Sequence, residues 1–245
     1  MQSKRCLAAV MLAALVSLSV PFSASAGFGD ILKGAKEKFM GGQGALSEGT
    51  IIDGLKEALQ IGSENAVAFV SKADGYYNNP RIKIPLPDAV KKVEKILRGV
   101  GYGPKIDAFE LSMNRAAEKA APEAKAMFWD TIKGMSFSDA RKILDGRENE
   151  ATLYFKDKTH SGLFEKFKPI VHDVMSSVGV TKRYQELDAK VRTIPFTDSL
   201  SFDLDKYVTD GALDGLFLML AEEEKKIRQN PAARVTDLLK KVFAK

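Results

Sequence analysis

The 245 residues hold 37 lysines and arginines against 32 acids, a formal charge of +5, with 45 % apolar residues, two histidines and one cysteine. A core of ordinary size can be buried, but one thiol excludes a disulfide scaffold and a multi-cysteine metal site. The basic residues alternate with acids, as in Lys91-Lys92-Val93-Glu94-Lys95 and Glu222-Glu223-Glu224-Lys225-Lys226, which argues against a nucleic-acid surface.

In chain order, the first 26 residues read as an export signal. Lys4 and Arg5 precede an apolar run from Leu7 to Val20, and Ala24-Ser25-Ala26 supplies a small-residue cleavage site ahead of Gly27. The apolar run is too short to span a bilayer. Cys6 lies before that run, whereas a lipidated cysteine must follow it, so the expectation is an exported, periplasmic protein and not a lipoprotein. Losing Lys4 and Arg5 lowers the charge from +5 to +3.

Residues 27–45 predict a short amphipathic helix, Phe28 to Met40, and a linker at Gly41-Gly42-Gln43-Gly44. Lys33, Lys36 and Lys38 accompany Ile31, Leu32 and Phe39 there, a pattern suited to weak contact with a membrane surface through residues 28–40. Residues 46–245 predict a single all-α domain, with about nine to eleven helices over the mature chain. Ile51, Leu55, Ala58, Leu59, Ala66, Phe69 and Val70 form the first long stripe at helical spacing, and Asp74-Gly75 ends it.

Residues 78–87 break the helical pattern. Three prolines, 80, 85 and 87, forbid a helix interior, and Ile82, Ile84 and Leu86 alternate with Arg81, Lys83 and Pro85. The segment is expected to be an extended strap laid across helices by its apolar side. Helices follow with Val90, Val93, Ile96 and Leu97, and then from about Lys105 to Ala120. Pro122 breaks the chain before another through Ile132, and Ser138-Asp139-Ala140 opens a short one. Glu150–Lys158 and Ser161–Val178 predict two separate helices, with Pro169 a kink in the second. Asp203 or Asp205 should open the last long helix, whose centre, Leu213 to Ala221, is apolar nearly all round and marks a core element. A final helix carries Val235, Leu238, Leu239, Val242 and Phe243.

No linear catalytic motif emerges: Gly-x-Ser-x-Gly, a phosphate loop and a dinucleotide fingerprint are all absent. His160 and His172 have no Glu-x-x-His partner, so neither a metal site nor a cofactor is expected. Asp107, Glu110, Asn114 and Glu118 share one side of a helix, with Arg115 one step round. Asp214 adjoins the apolar run, which predicts partial burial and a basic partner. Gly211 and Gly215 predict close approach of another helix.

Several strings occur together in order: Asp74-Gly75-Tyr76, Asn79 to Pro87, Met113-Asn114-Arg115-Ala116-Ala117-Glu118, Ala151-Thr152-Leu153-Tyr154-Phe155, Pro169-Ile170-Val171, Ala212 to Phe217, and Pro231-Ala232-Ala233-Arg234. With them the chain resembles an uncharacterised bacterial family, domain of unknown function 4197, over roughly Leu46 to Phe243. The resemblance implies an exported helical domain and transfers no catalytic residue. Its signature positions point to Asn79, Arg81, Asn114, Arg115, Glu118, Asp214 and Arg234 as one buried polar network or cleft.

Three functions are thus open. The first is a non-catalytic binding or interaction protein of the cell envelope, holding an apolar small ligand or an envelope protein. The second is a periplasmic hydrolase using Glu118 or Asp214 with Arg115. The third is a membrane-surface or lipid-binding protein.

Overall fold

The computed structural model describes residues 48–177, 180–191, 193 and 203–229. The chain divides into two units, Met1–Ala45 and Leu46–Lys245, and every described residue belongs to the second. The export signal, the 28–40 segment, the Gly-rich linker and the 235–243 stripe all lie outside the described residues.

Within them the fold is all-helical, with no strand. The helices are α1 (Glu48–Ser71), α2 (Asp88–Gly99), α3 (Gly103–Ala120), α4 (Ala124–Lys133), α5 (Phe137–Asp145), α6 (Glu150–Ser177), α7 (Val180–Val191) and α8 (Leu204–Gln229), with one 3-10 turn at Ala121–Glu123 between α3 and α4. These eight α-helices are those of the described residues, and the nine to eleven expected over the mature chain are not all among them. Two expected helices lie outside the described residues, and two others are a single helix.

That single helix is α6. The sequence predicts a gap near residues 159–160, yet the helix runs unbroken for 28 residues. Thr159 turns its hydroxyl back to the Phe155 carbonyl at 2.6 Å, so a residue of modest helix propensity satisfies its polar group inside the helix. Pro169 lies within the helix without ending it. Its missing N–H costs one backbone bond, while Leu163, Phe167, Val171 and Met175 keep one buried stripe across it.

The core is organised around α8, which packs on α6, α1 and α3, while α6 packs on α3. Val208, Ala212, Leu213, Leu216, Phe217 and Leu220 are buried, in keeping with the nearly all-round apolar centre read from the sequence. Phe128 meets Phe155 and Phe217 at ring separations of 5.0 and 6.2 Å, joining α4, α6 and α8. Two residues assigned to inward stripes point outward: Phe69 and Ile96 are both exposed. On α1 the buried row is Ala66, Val67 and Val70, and Phe69 stands one step round the helix with the Lys72 ammonium 4.5 Å from its ring centre.

Two helix starts show how local chemistry sets the boundaries. Asp203 caps α8, accepting the Lys206 N–H at 2.8 Å. The α5 cap is Ser136, two residues before the expected Ser138. Its hydroxyl accepts the Asp139 N–H while Asp139 reaches back to the Ser136 N–H, a reciprocal box that satisfies two otherwise orphaned donors.

Candidate functional site

Of the candidate residues, Asn114, Arg115 and Glu118 lie where α3 meets the turn and the strap. After α1 the chain turns tightly, with Asp74 in the left-handed region at φ 65°. Past Gly75, the peptide N–H groups of Tyr76 and Tyr77 both point at one carboxylate oxygen of Glu118 on α3, at 3.1 and 3.3 Å. The other oxygen accepts from Arg115 at 2.6 Å. The second arm of that guanidinium donates to Asp74 at 2.7 Å. Glu118 is only 4 % exposed, and a buried carboxylate requires such donors. The pairing with Glu118, strengthened by Asp74, holds the Arg115 pKa above its ordinary value.

Tyr76 plugs the space beneath this turn. Its ring is fully buried, and its hydroxyl donates to the Ala212 carbonyl of α8 at 2.6 Å. Burial, and secondarily the Glu118 charge, push the phenol well above its usual range.

The extended strap expected over residues 78–87 is shorter. The chain turns through Ile82, with the Lys83 N–H donating to the Asn79 carbonyl at 2.8 Å. Lys83 to Pro87 run without helix or turn, while the apolar alternation holds. Ile82, Ile84 and Leu86 are buried, while Arg81 and Pro85 face outward. Asn114 of α3 acts towards it as a strand neighbour would. Its side-chain oxygen accepts the Ile84 N–H at 2.8 Å and its amide donates to the Ile84 carbonyl at 2.9 Å. A second donation, to the Glu110 carbonyl, fixes the amide on its own helix.

Gly211 and Gly215 prove to make room for the strap and not for another helix. A Cβ at Gly215 would sit 2.6 Å from the Tyr76 ring and 3.1 Å from the Ile82 Cβ. At Gly211 it would crowd the Ile84 side chain at 3.1 Å.

The remaining candidates divide. Asn79 shapes the turn into the strap, its side-chain oxygen accepting the Arg81 N–H at 3.1 Å. Arg81 reaches across to Glu222 of α8 at 3.0 Å. Asp214 is not partly buried as expected. Its side chain is 72 % exposed, and its basic partner, Lys156, stands 3.7 Å away. The apolar run that flanks it covers the other faces of α8 and leaves this one to solvent. Arg234 lies outside the described residues.

Arg81 and Asp214 line a cleft of about 330 Å³ between strap and helix, which Asn114, Arg115 and Glu118 do not reach. Arg81, Ile82, Lys83, Ile84 and Pro85 form one wall, and Tyr207, Asp210, Gly211, Asp214, Gly215 and Leu218 the other. Three further hollows contain no candidate residue. One, of about 140 Å³, lies between the start of α1 and α5 at Ile51, Ile52, Phe137 and Leu144. A second, of about 20 Å³, lies among Leu55, Leu59, Ile143 and Glu224, and the third is an open hollow beside Trp129.

A second buried carboxylate escaped the sequence reading. Glu224 of α8 accepts the N–H groups of Ala151 and Thr152 at 3.0 and 2.9 Å and the Thr152 hydroxyl at 2.9 Å. Arg228, four residues on, pairs with it at 2.9 Å and donates to the Ile143 carbonyl at 2.7 Å. The signal was present: Glu224 stands between Leu220 and Ile227 at the four- and three-residue spacings of the buried stripe. The histidines do not converge. His160 stacks on Phe217, and His172 meets Asp205 at 2.8 Å. No group of three or more metal-ligating side chains occurs among the described residues, and no described helix is long and apolar enough to cross a membrane.

The family described as protein of unknown function (DUF4197) matches residues 45–244. The chain belongs to that family. Comparison with curated proteins and with solved structures finds no match. Within this DUF4197 chain, the segments that carry the resemblance, Asp74 to Pro87, Met113 to Glu118 and Ala212 to Phe217, supply the turn, the network that anchors it and the helix beneath the strap.

Proposed function

We propose that this protein is exported to the periplasm, is processed at Gly27, and acts there as a non-catalytic binding protein. In this reading residues 46–245 form one domain, and the cleft between strap and α8 receives a small ligand or a segment of an envelope protein. The observation that carries the reading is the cleft itself. The glycines at 211 and 215 seat the strap on α8, Asn114 and Glu118 anchor it from behind, and charged side chains remain at the rim. A pre-formed cleft with a few placed polar groups is the common architecture of a small-ligand site.

The carboxylates favour binding over hydrolysis. Glu118 already accepts from two peptide N–H groups and from Arg115, so it has no geometry for proton exchange with a substrate. Asp214 stands in solvent, its side chain 72 % exposed, with no enclosing walls to exclude water from a reaction.

The test is native mass spectrometry of the mature protein released gently from the periplasm, joined to hydrogen exchange. An extra mass that is lost on denaturation is expected, and adding back the released material should slow exchange in residues 81–85 and 207–218. A clean apo mass with no protection of those segments by periplasmic extract would overturn the reading. Amino-terminal sequencing that found Met1 retained would overturn export.

A further inference from the structure

The two walls of the cleft carry opposite charge. Arg81 and Lys83 project from the strap, and Asp210 and Asp214 from α8. Tyr207, Asp210, Gly211, Asp214 and Leu218 recur at three- and four-residue spacing, so they form one stripe of about 16 Å along the helix. Arg81 reaches Glu222 near one end of that stripe, and the Tyr207 hydroxyl donates to the Pro85 carbonyl at 3.1 Å at the other. Strap and helix therefore run antiparallel. Lys83 pairs with Glu110 of α3 at 2.8 Å and Asp210 with Lys206 at 2.5 Å, which leaves Arg81 and Asp214 as the loosely held charges of the two walls.

These charges can be recruited. Arg81 gives a single nitrogen to Glu222 and keeps further N–H donors in its fork, with 54 % of its side chain exposed. Among the described residues Asp214 is approached by Lys156, at 3.7 Å. Exposed pairs of this kind contribute little to stability, so an incoming charge can replace either partner. An anion alone would meet the carboxylate wall, and a cation alone the guanidinium wall. Only a molecule carrying both signs is favoured by both walls, and Ile84, Pro85 and Leu218 offer apolar surface between them.

Resting on the binding reading above, we infer that this cleft takes a zwitterion, a free amino acid or short peptide that lies across it with its carboxylate on Arg81 and its ammonium on Asp214.

The probe is the dipeptide alanyl-leucine, titrated into the mature protein by calorimetry and by amide chemical shifts, beside its N-acetylated and C-amidated forms. Saturable binding with shifts confined to residues 81–85 and 207–218 is expected. Blocking either terminus, or making R81Q or D214N, should weaken it about tenfold or more, the usual loss when a charged hydrogen-bond partner is removed. Both substitutions are at exposed side chains, and an unchanged thermal midpoint will establish that the variants are folded. Blocked dipeptides that bind as well as the free one would overturn the assignment. So would an absence of binding at about 10 mM, a concentration that detects even very weak sites. If periplasmic material still protects the cleft while alanyl-leucine does not bind, the zwitterion inference alone fails. If neither binds, the binding reading fails with it.

Discussion

Two buried carboxylates hold this protein together in nearly the same way, with different consequences. Glu118 and Glu224 each accept two consecutive peptide N–H groups, and each pairs with an arginine on its own helix, three residues before or four residues after. Glu224 receives the amino end of a regular helix, α6, and so works as a cap supplied from another element, favoured by the helix dipole as well as by hydrogen bonds. Glu118 receives an irregular turn that no helix would hold. The first secures a contact inside the core, while the second secures the strap and thereby one wall of the cleft. A carboxylate next to an arginine on a helix is thus insufficient to mark a functional region. The backbone it grips decides what depends on it.

The largest expected effect is at Glu224. The Arg228 side chain is only 16 % exposed, so E224A leaves a largely buried cation and two unmet N–H groups, a loss of about 3–5 kcal/mol. The denaturant midpoint should fall by that amount, and exchange should quicken at residues 150–153, with the strap unaffected. E118A should cost less, about 2–3 kcal/mol, because Arg115 is 36 % exposed and keeps its bond to Asp74. Exchange should then quicken at residues 75–86. Equal acceleration of both segments in either variant would show that the two anchors form one cooperative unit and would dissolve the contrast.

Next in size is Gly215→Ala. The added methyl lies 2.6 Å from the Tyr76 ring and 3.1 Å from Ile82, so the ring or the strap must move, at about 1–3 kcal/mol. Lost stability with amide shifts spreading through residues 76–84 is expected. A neutral substitution would mean that the strap does not press on α8.

The ease of reading these features differs for physical reasons. The alternation of Ile82, Ile84 and Leu86 between prolines was legible as a strap, because prolines exclude the helix and a period of two leaves one apolar side. The buried α8 centre was legible from the density of apolar residues between Leu213 and Ala221. What the strap lies against was not legible. Gly211 and Gly215 announce a close approach, but the approaching groups are Tyr76 and Ile84, more than a hundred residues away. Asp214 was misjudged because an apolar neighbourhood in sequence covers only the faces of a helix that carry it, and residue 214 occupies the remaining one. The continuity of α6 was hidden because Thr159 hydrogen-bonds within the helix and the stripe from Leu163 to Met175 carries it past Pro169.

The smallest effects separate the two regions by pH. Near the Glu224 anchor, Glu150 at the start of α6 accepts from Arg147 at 3.1 Å, and this hydrogen bond holds its carboxyl below the usual range. A depressed carboxyl contributes stability above its unfolded pKa, about 4.3, and that contribution disappears as pH falls through the lower folded value. Acid should therefore loosen the start of α6, and E150Q should flatten this limb of the stability profile. Near the Glu118 anchor the sign reverses. The Tyr76 phenol is raised by burial and by the Glu118 charge. Its contribution is full below the unfolded value of about 10 and is lost as pH rises, because only the unfolded chain ionises readily. Y76F should cost about 1 kcal/mol at neutral pH, the hydrogen bond to Ala212. It should also retain more of its neutral-pH stability above pH 10 than the parent. Thermal midpoints measured across both limbs test this directly: an alkaline limb identical in the parent and Y76F would mean that the phenol is not sealed beneath the strap.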